Sequence, residues 1–214
     1  MDSLSPSNSI DGAHCTPKGR MVFLFTAHGN EDGSIVLEAH PSIIETAIAS
    51  LKKYAVFFKT EITDVSDSYS NSQAELSDLE RLRTGRAEVV AETIEMFIPQ
   101  MLNLDALGYI NFKKGCYTGQ EIIARAHYRG AVKRRMHHLA LATETVPSPG
   151  DEIKNDQGKS IGNIASAVRV DAAKVEILAV LNDKYSDSNE MQIGEQALTA
   201  VTPLPLPYEI PASL

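Results

Sequence analysis

The chain has 214 residues, is 43% hydrophobic and carries a formal net charge of −8. That length suffices for one large or two small domains, and the composition is that of a chain able to build its own core. No apolar run is long enough to span a bilayer, and the acidic balance argues against a protein that coats nucleic acid, which needs a concentrated basic face.

Residues 1–11 are polar and lack the apolar stretch of a signal peptide and the arginines of a transit peptide, so a cytoplasmic location is expected. Residues 13–15 and 20–27 are expected to pair as a hairpin around the turn Thr16-Pro17-Lys18-Gly19. The apolar run at 21–25 reads as a strand buried on both faces. A turn at 29–33 leads to a strand at 34–39. Pro41 then opens a helix whose apolar positions Ile43, Ile44, Ala47, Ile48 and Leu51 have helical spacing. Residues 60–65 read as one more strand, 66–77 as a polar linker, and 78–84 as a short helix ended by Gly85.

The segment 97–130 carries the chemistry. A helix is expected at 102–107, ended by Gly108, then a loop at 113–117 and a second helix from Gly119 to about His127, with Gly130 beyond its end. Thr118 and Glu121 have the spacing of a capping box, flanked by Tyr117 and Ile122 as a hydrophobic staple. Cys116 thus lies just before a helix N-terminus, where the dipole and the neighbouring Lys113 and Lys114 favour a thiolate. Such a sulfur can ligate iron, form a transient disulfide or form a covalent adduct. Gly115 suits close backbone approach or a positive φ; Gly119 suits the same close approach or is simply tolerated in a turn. Gln120 offers hydrogen bonds to a ligand edge; Glu121 offers the same or serves only the cap. Arg125 pairs with Glu121 four residues earlier or contacts an anion. Gln100 and Asn103, beside Pro99, are aimed side chains or helix caps. The basic run from Arg125 to Arg135 is a solvated face or a site for a phosphate or polyglutamate tail.

The two cysteines make no disulfide framework, Cys15 is expected in the core, and none of the six histidines has metal spacing with a cysteine. From residue 133 the chain has β character, with strands at 135–143, 159–170 and 174–182, a turn at 155–158 and an extended proline-rich tail at 203–207. Val175, Ile177, Ala179 and Leu181 alternate as in a half-buried strand. His137 and His138 are read as ordinary strand residues. An α+β domain at 12–130, with the linker at 66–77, and a small β-barrel at 131–208 follow.

Three blocks resemble one family: Ala13-His14-Cys15-Thr16-Pro17-Lys18-Gly19-Arg20-Met21, Phe97-Ile98-Pro99-Gln100-Met101-Leu102-Asn103-Leu104, and Lys113-Lys114-Gly115-Cys116-Tyr117-Thr118-Gly119-Gln120-Glu121 with Ile123-Ala124-Arg125-Ala126. They are similar to the YgfZ proteins, relatives of the aminomethyltransferase (T-protein, GcvT) of the glycine cleavage system. The resemblance covers residues 12–65 and 79–208. It implies a GcvT/YgfZ-like folate-binding fold followed by a C-terminal β-barrel. The family's opening and middle segments have no counterpart here, so the ring of subdomains is expected to be incomplete. It also implies binding of tetrahydrofolate or a derivative through Lys114, Gly115, Tyr117, Gly119, Gln120, Glu121, Arg125, Gln100 and Asn103, with Cys116 as the working thiol and no metal site. Folate-binding members use tryptophans and this chain has none, so Tyr109, Phe112 and Tyr117 are the candidate stacking rings. The implied function is support of iron–sulfur cluster assembly or repair. The implied partners are iron–sulfur client proteins, namely radical enzymes that modify tRNA, with no direct nucleic acid and no membrane. The alternatives are a folate-dependent aminomethyl or one-carbon transferase and a truncated binding module.

Overall fold

Strands β1 (Ser9–Cys15), β2 (Met21–Gly29) and β3 (Ile35–Glu38) form an antiparallel sheet in that order. The computed structural model describes residues 4–5, 8–69, 76–128, 132–198 and 200–211. Half of the expected linker, at 70–75, and Arg129 and Gly130 lie outside the described residues. The expected turn closes the first hairpin: the Gly19 amide donates to the Thr16 carbonyl at 2.8 Å, and Gly19 has φ 70°. In β2, Met21, Val22, Phe23 and Leu24 are all buried, as an unbroken apolar run demands. A 3-10 turn at Pro41–Ile43 leads into α1 (Ile44–Ala55), which sets Ala47 beside Val22, Phe23 and Ile43.

Two expected elements are replaced. Residues 60–65 form no strand. Asp64 instead accepts from the Ser66 amide at 2.9 Å, and the Tyr69 amide donates to the Val65 carbonyl at 2.9 Å, so the chain coils there and pairs with no strand. The helix expected at 102–107 is a 3-10 turn at Pro99–Leu102. Asn103 stops it by entering the left-handed region at φ 56°, with its side chain drawn into the core. The short helix α2 (Asp78–Arg83) starts from a capping box that the sequence reading missed: Glu80 accepts from the Ser77 amide at 2.8 Å, and Ser77 accepts from the Glu80 amide at 3.3 Å.

The C-terminal half is a curled, barrel-like sheet of β4 (Arg134–Ala142), β5 (Glu152–Lys154), β6 (Ser160–Asp171), β7 (Lys174–Asn182), β8 (Met191–Ile193), β9 (Gln196–Leu198) and β10 (Val201–Leu204). Its order is β10-β4-β7-β6-β5-β8-β9, and among the described residues no ladder joins β9 to β10. Strand β7 is not half-buried as expected. Val175, Ile177, Ala179 and Leu181 face the barrel core, while Leu178 and Val180 join a second core with Met21, Leu24, Leu82, Leu102, Leu104, Ile123 and Met136. That second core is shared with the first half of the chain, so both faces of β7 are covered. No described helix is long and apolar enough to cross a membrane.

Glu176 sits on the shared face of β7. Its side chain is 2% exposed and takes a two-point contact from Arg83 of α2, at 2.9 and 2.7 Å, and a third from His138 Nε2 at 3.1 Å. Arg83, then His138, hold the carboxyl below its ordinary value of 4.5, against the opposing effect of burial. A depressed carboxyl stabilises the fold above its unfolded value and stops doing so as pH falls through its folded value. The advantage of the native chain over Glu176→Gln is therefore full above about pH 4.5 and shrinks below it. Melting temperatures of both proteins between pH 7 and pH 3 test this; a constant gap would contradict it.

Candidate functional site

The three blocks singled out in the sequence meet in space. The Met21 amide donates to the Phe97 carbonyl at 2.9 Å, and the Glu95 amide to the Met21 carbonyl at 2.8 Å, tying β2 to the second block. Arg20 adds a bond to the Met96 carbonyl. Gln100 Nε2 donates to the Ile123 carbonyl at 2.7 Å, tying the second block to helix α3 (Gln120–Tyr128). The tip of the first hairpin closes on the start of α3. A Cβ on Gly119 would lie 2.6 Å from the Thr16 carbonyl oxygen and 2.9 Å from Gly19 Cα, and Gly119 has φ 83°. Only glycine tolerates both conditions.

That left-handed Gly119 also moves the helix start. α3 begins at Gln120, and the expected Thr118–Glu121 capping box does not form among the described residues. Gln120 takes the role instead: its Oε1 accepts from the Tyr117 amide at 3.2 Å. Glu121 and Arg125 are both exposed and make no ion pair with each other.

The loop before the helix is organised by Asn111, which the sequence reading passed over. Its Oδ1 accepts from the amides of Lys113 and Lys114 at 2.8 and 3.1 Å, an Asx-type turn that an Asn two residues before a basic glycine loop signals. Lys114 Nζ lies 4.7 Å from the centre of the Tyr117 ring. Tyr117 packs against the shared core, its hydroxyl is buried without a partner, and burial pushes its pKa up. Gly115 shows neither the expected close approach nor a positive φ: no atom lies within 4 Å of a Cβ built on it. Cys116 is exposed on this loop, whereas Cys15 is buried at the end of β1. Burial pushes the Cys15 thiol up to about 12, with Lys114 acting in the opposite direction. The two sulfurs therefore differ in kind: Cys15 is a packed core atom and Cys116 faces solvent.

The remaining candidates fall elsewhere. Gln100 and Asn103 are fully buried and donate inward, Asn103 Nδ2 to the Met136 carbonyl at 2.8 Å. Arg135, the last member of the basic run, is no solvated residue: it grips Asp105 at 2.6 and 2.9 Å and donates to the Gln100 carbonyl at 2.8 Å. At the far end of α3, Phe112 stacks on His127 with ring centres 4.1 Å apart, and Tyr128 packs edge-on against both. Tyr128 is 62% exposed, and Arg125 lies three residues before it, on the same side of the helix. Tyr109 carries Arg86 over its ring at 5.5 Å. Two clefts of about 310 and 520 Å³ lie on the C-terminal sheet, and Cys116 lines neither. Among the described residues no three His, Cys, Asp or Glu side chains cluster as a metal site.

No family model matches the chain. It is similar to the tRNA-modifying protein YgfZ of Pectobacterium carotovorum, with 39% identity over 132 residues, 60% of this chain and 40% of that relative. It is similar to the tRNA-modifying protein YgfZ of Yersinia pseudotuberculosis at 28% identity over 278 residues, 98% of this chain and 84% of the relative. An alignment of that length across a 214-residue chain means that the Yersinia protein carries internal residues with no counterpart here. In structure the chain resembles the glycine cleavage system aminomethyltransferase T of Bartonella henselae, with a TM-score of 0.63 and 12% identity over 95% of this chain and 76% of that one. The chain is thus similar to the YgfZ proteins, shortened within the span it shares with the Yersinia protein, and has the fold of an aminomethyltransferase.

Proposed function

We propose that this chain is a YgfZ-like factor that supports iron–sulfur cluster assembly or repair, and through it tRNA modification, with the Cys116 thiol as its working group. One observation carries the reading: the exposed sulfur sits on a loop anchored on one side by Asn111, which holds the Lys113 and Lys114 amides, and on the other by Tyr117, which packs on the shared core and bonds Gln120 of α3. A fixed loop presents the sulfur in one place to a large partner, and the lack of side chains around Gly115 leaves room for that partner to approach. The sulfur supplies a lone pair that binds an iron of the client's cluster, or it attacks a disulfide of the client, forming a mixed disulfide and releasing the client's other sulfur as a thiolate. The clients on this reading are the radical enzymes that modify tRNA.

Tetrahydrofolate belongs to the same reading. The exposed Tyr128 ring fits a pterin face, and the exposed Arg125 fits the glutamate carboxylates. When bound, the folate supplies a carrier for a one-carbon unit; Tyr128 and Arg125 serve only to hold and orient it. Titration with folinic acid is expected to raise the melting temperature of the native chain and to leave Tyr128→Ala unmoved. An equal shift in both proteins would remove Tyr128 from the site, and no shift in either would remove folate. The reading as a whole is tested by Cys116→Ala in cells that lack their own factor, with tRNA methylthiolation as the readout.

A further inference from the structure

The end of α1 carries a feature that neither the cores nor the thiol loop uses. Val56, Phe57 and Phe58 follow the helix directly and are 82%, 79% and 74% exposed. The chain keeps turning there: the Phe57 amide donates to the Tyr54 carbonyl at 3.1 Å and the Phe58 amide to the Ala55 carbonyl at 2.9 Å. Three consecutive apolar side chains on a helical turn point about 100° apart, so they make a convex knob rather than a flat platform. The base of the knob is fixed. Tyr54 packs edge-on against His14, with ring centres 6.0 Å apart, and His14 Nε2 bonds Ser50 Oγ at 3.0 Å.

Along the chain, the charges next to the knob are of one sign, and acidic residues return only at Glu45 and Glu61. Lys52, Lys53 and Lys59 flank it, and no Asp or Glu occurs from residue 46 to residue 60, in a chain whose formal net charge is −8. The basic, apolar tip stands out against an acidic molecule. Leaving three large apolar groups in water is unfavourable, and the lysines select what covers them. A single-stranded nucleic acid stacks on aromatic faces arrayed along a groove, which a convex turn led by a valine does not supply. A bilayer accepts a convex apolar tip and places anionic headgroups at the level of flanking lysines. We infer that residues 52–59 form a docking tip for an anionic phospholipid surface, with Val56, Phe57 and Phe58 entering the headgroup–acyl boundary. Such a contact lies on the membrane and does not cross it, so it needs no long apolar helix.

The chain contains no tryptophan, so Phe57→Trp places a single tryptophan in the tip, excited selectively over the seven tyrosines. The full chain with this change is mixed with phosphatidylglycerol vesicles and, separately, with phosphatidylcholine vesicles. The inference expects a blue shift in emission and co-sedimentation with the first and far less with the second. Lys→Gln at 52, 53 and 59 should weaken binding about fivefold per lysine. In the otherwise native chain, Phe57→Ser with Phe58→Ser should abolish co-sedimentation. All these positions are exposed, so circular dichroism and melting temperature should stay unchanged. Absence of a blue shift with anionic vesicles overturns the inference. So does equal binding to both vesicle types, a blue shift with a single-stranded RNA oligomer instead, or a concentration-dependent doubling of mass that buries the tryptophan without lipid.

Discussion

Asp105→Ala is expected to destabilise the chain by about 3–5 kcal/mol, the usual cost of stripping a buried charge of its partner. For a chain of this size that corresponds to a fall in melting temperature of roughly 10 °C or more. The argument is geometric. Arg135 and Asp105 are 7% and 8% exposed and meet through two bonds, at 2.6 and 2.9 Å. Arg135 also holds the Gln100 carbonyl, and Gln100 in turn holds the Ile123 carbonyl of α3. Loss of Asp105 leaves a guanidinium in a place that water cannot solvate well, at the joint between the second block and the barrel-like sheet. Replacing both partners by apolar residues, Arg135→Met with Asp105→Leu, should recover much of the loss, because no charge is then stranded. Denaturant melts of the three proteins provide the measurement. A loss below about 1 kcal/mol for Asp105→Ala would place the pair in the class of exposed ion pairs and contradict the buried one described here.

Cys116→Ala is expected to reduce rescue of tRNA methylthiolation to the level of an empty vector while leaving the fold intact. The site is exposed, and exposed substitutions away from caps and turns usually change stability by less than about 0.5 kcal/mol. The same change at Cys15 should behave in the opposite way. That thiol is buried in the shared core, so Cys15→Ala removes packing contacts but no reactive group. The pair of variants separates a working sulfur from a packed one. Full rescue by Cys116→Ala, with normal protein levels, would reject the thiol reading. Loss of rescue from Cys15→Ala alone, at normal melting temperature, would transfer the chemistry to the wrong cysteine for this account.

The hairpin, the Pro41 helix and the three long C-terminal strands were legible because periodicity and turn residues are local. Thr16-Pro17-Lys18-Gly19 closes its hairpin, and the apolar run in β2 is buried on both faces. What failed depends on partners distant in sequence. Residues 60–65 have the pattern of a strand, but no ladder takes them up. The alternation in β7 suggested one buried face, whereas the first half of the chain covers the other. At the site, the glycine at 119 was read as suited to close approach, which it makes, while its positive φ went unread. Its effect on the helix start, which passes the capping role from Glu121 to Gln120, was hidden because it depends on the hairpin tip packing against it. Arg135 read as one of a basic run, and nothing local in the sequence ties it to Asp105, thirty residues earlier in the chain. Asn111 was legible and overlooked, since an Asx turn has a local signature.

The thiol account is tested most directly by blocking one sulfur in the native protein. Brief treatment with iodoacetamide should add a single label, at Cys116, because Cys15 is buried and its thiol is held up to about 12. That singly labelled protein is then supplied to a reconstituted tRNA methylthiolation reaction beside the unlabelled protein. The account predicts that the unlabelled protein supports the client enzyme and the labelled one does not. Equal support from both would contradict it.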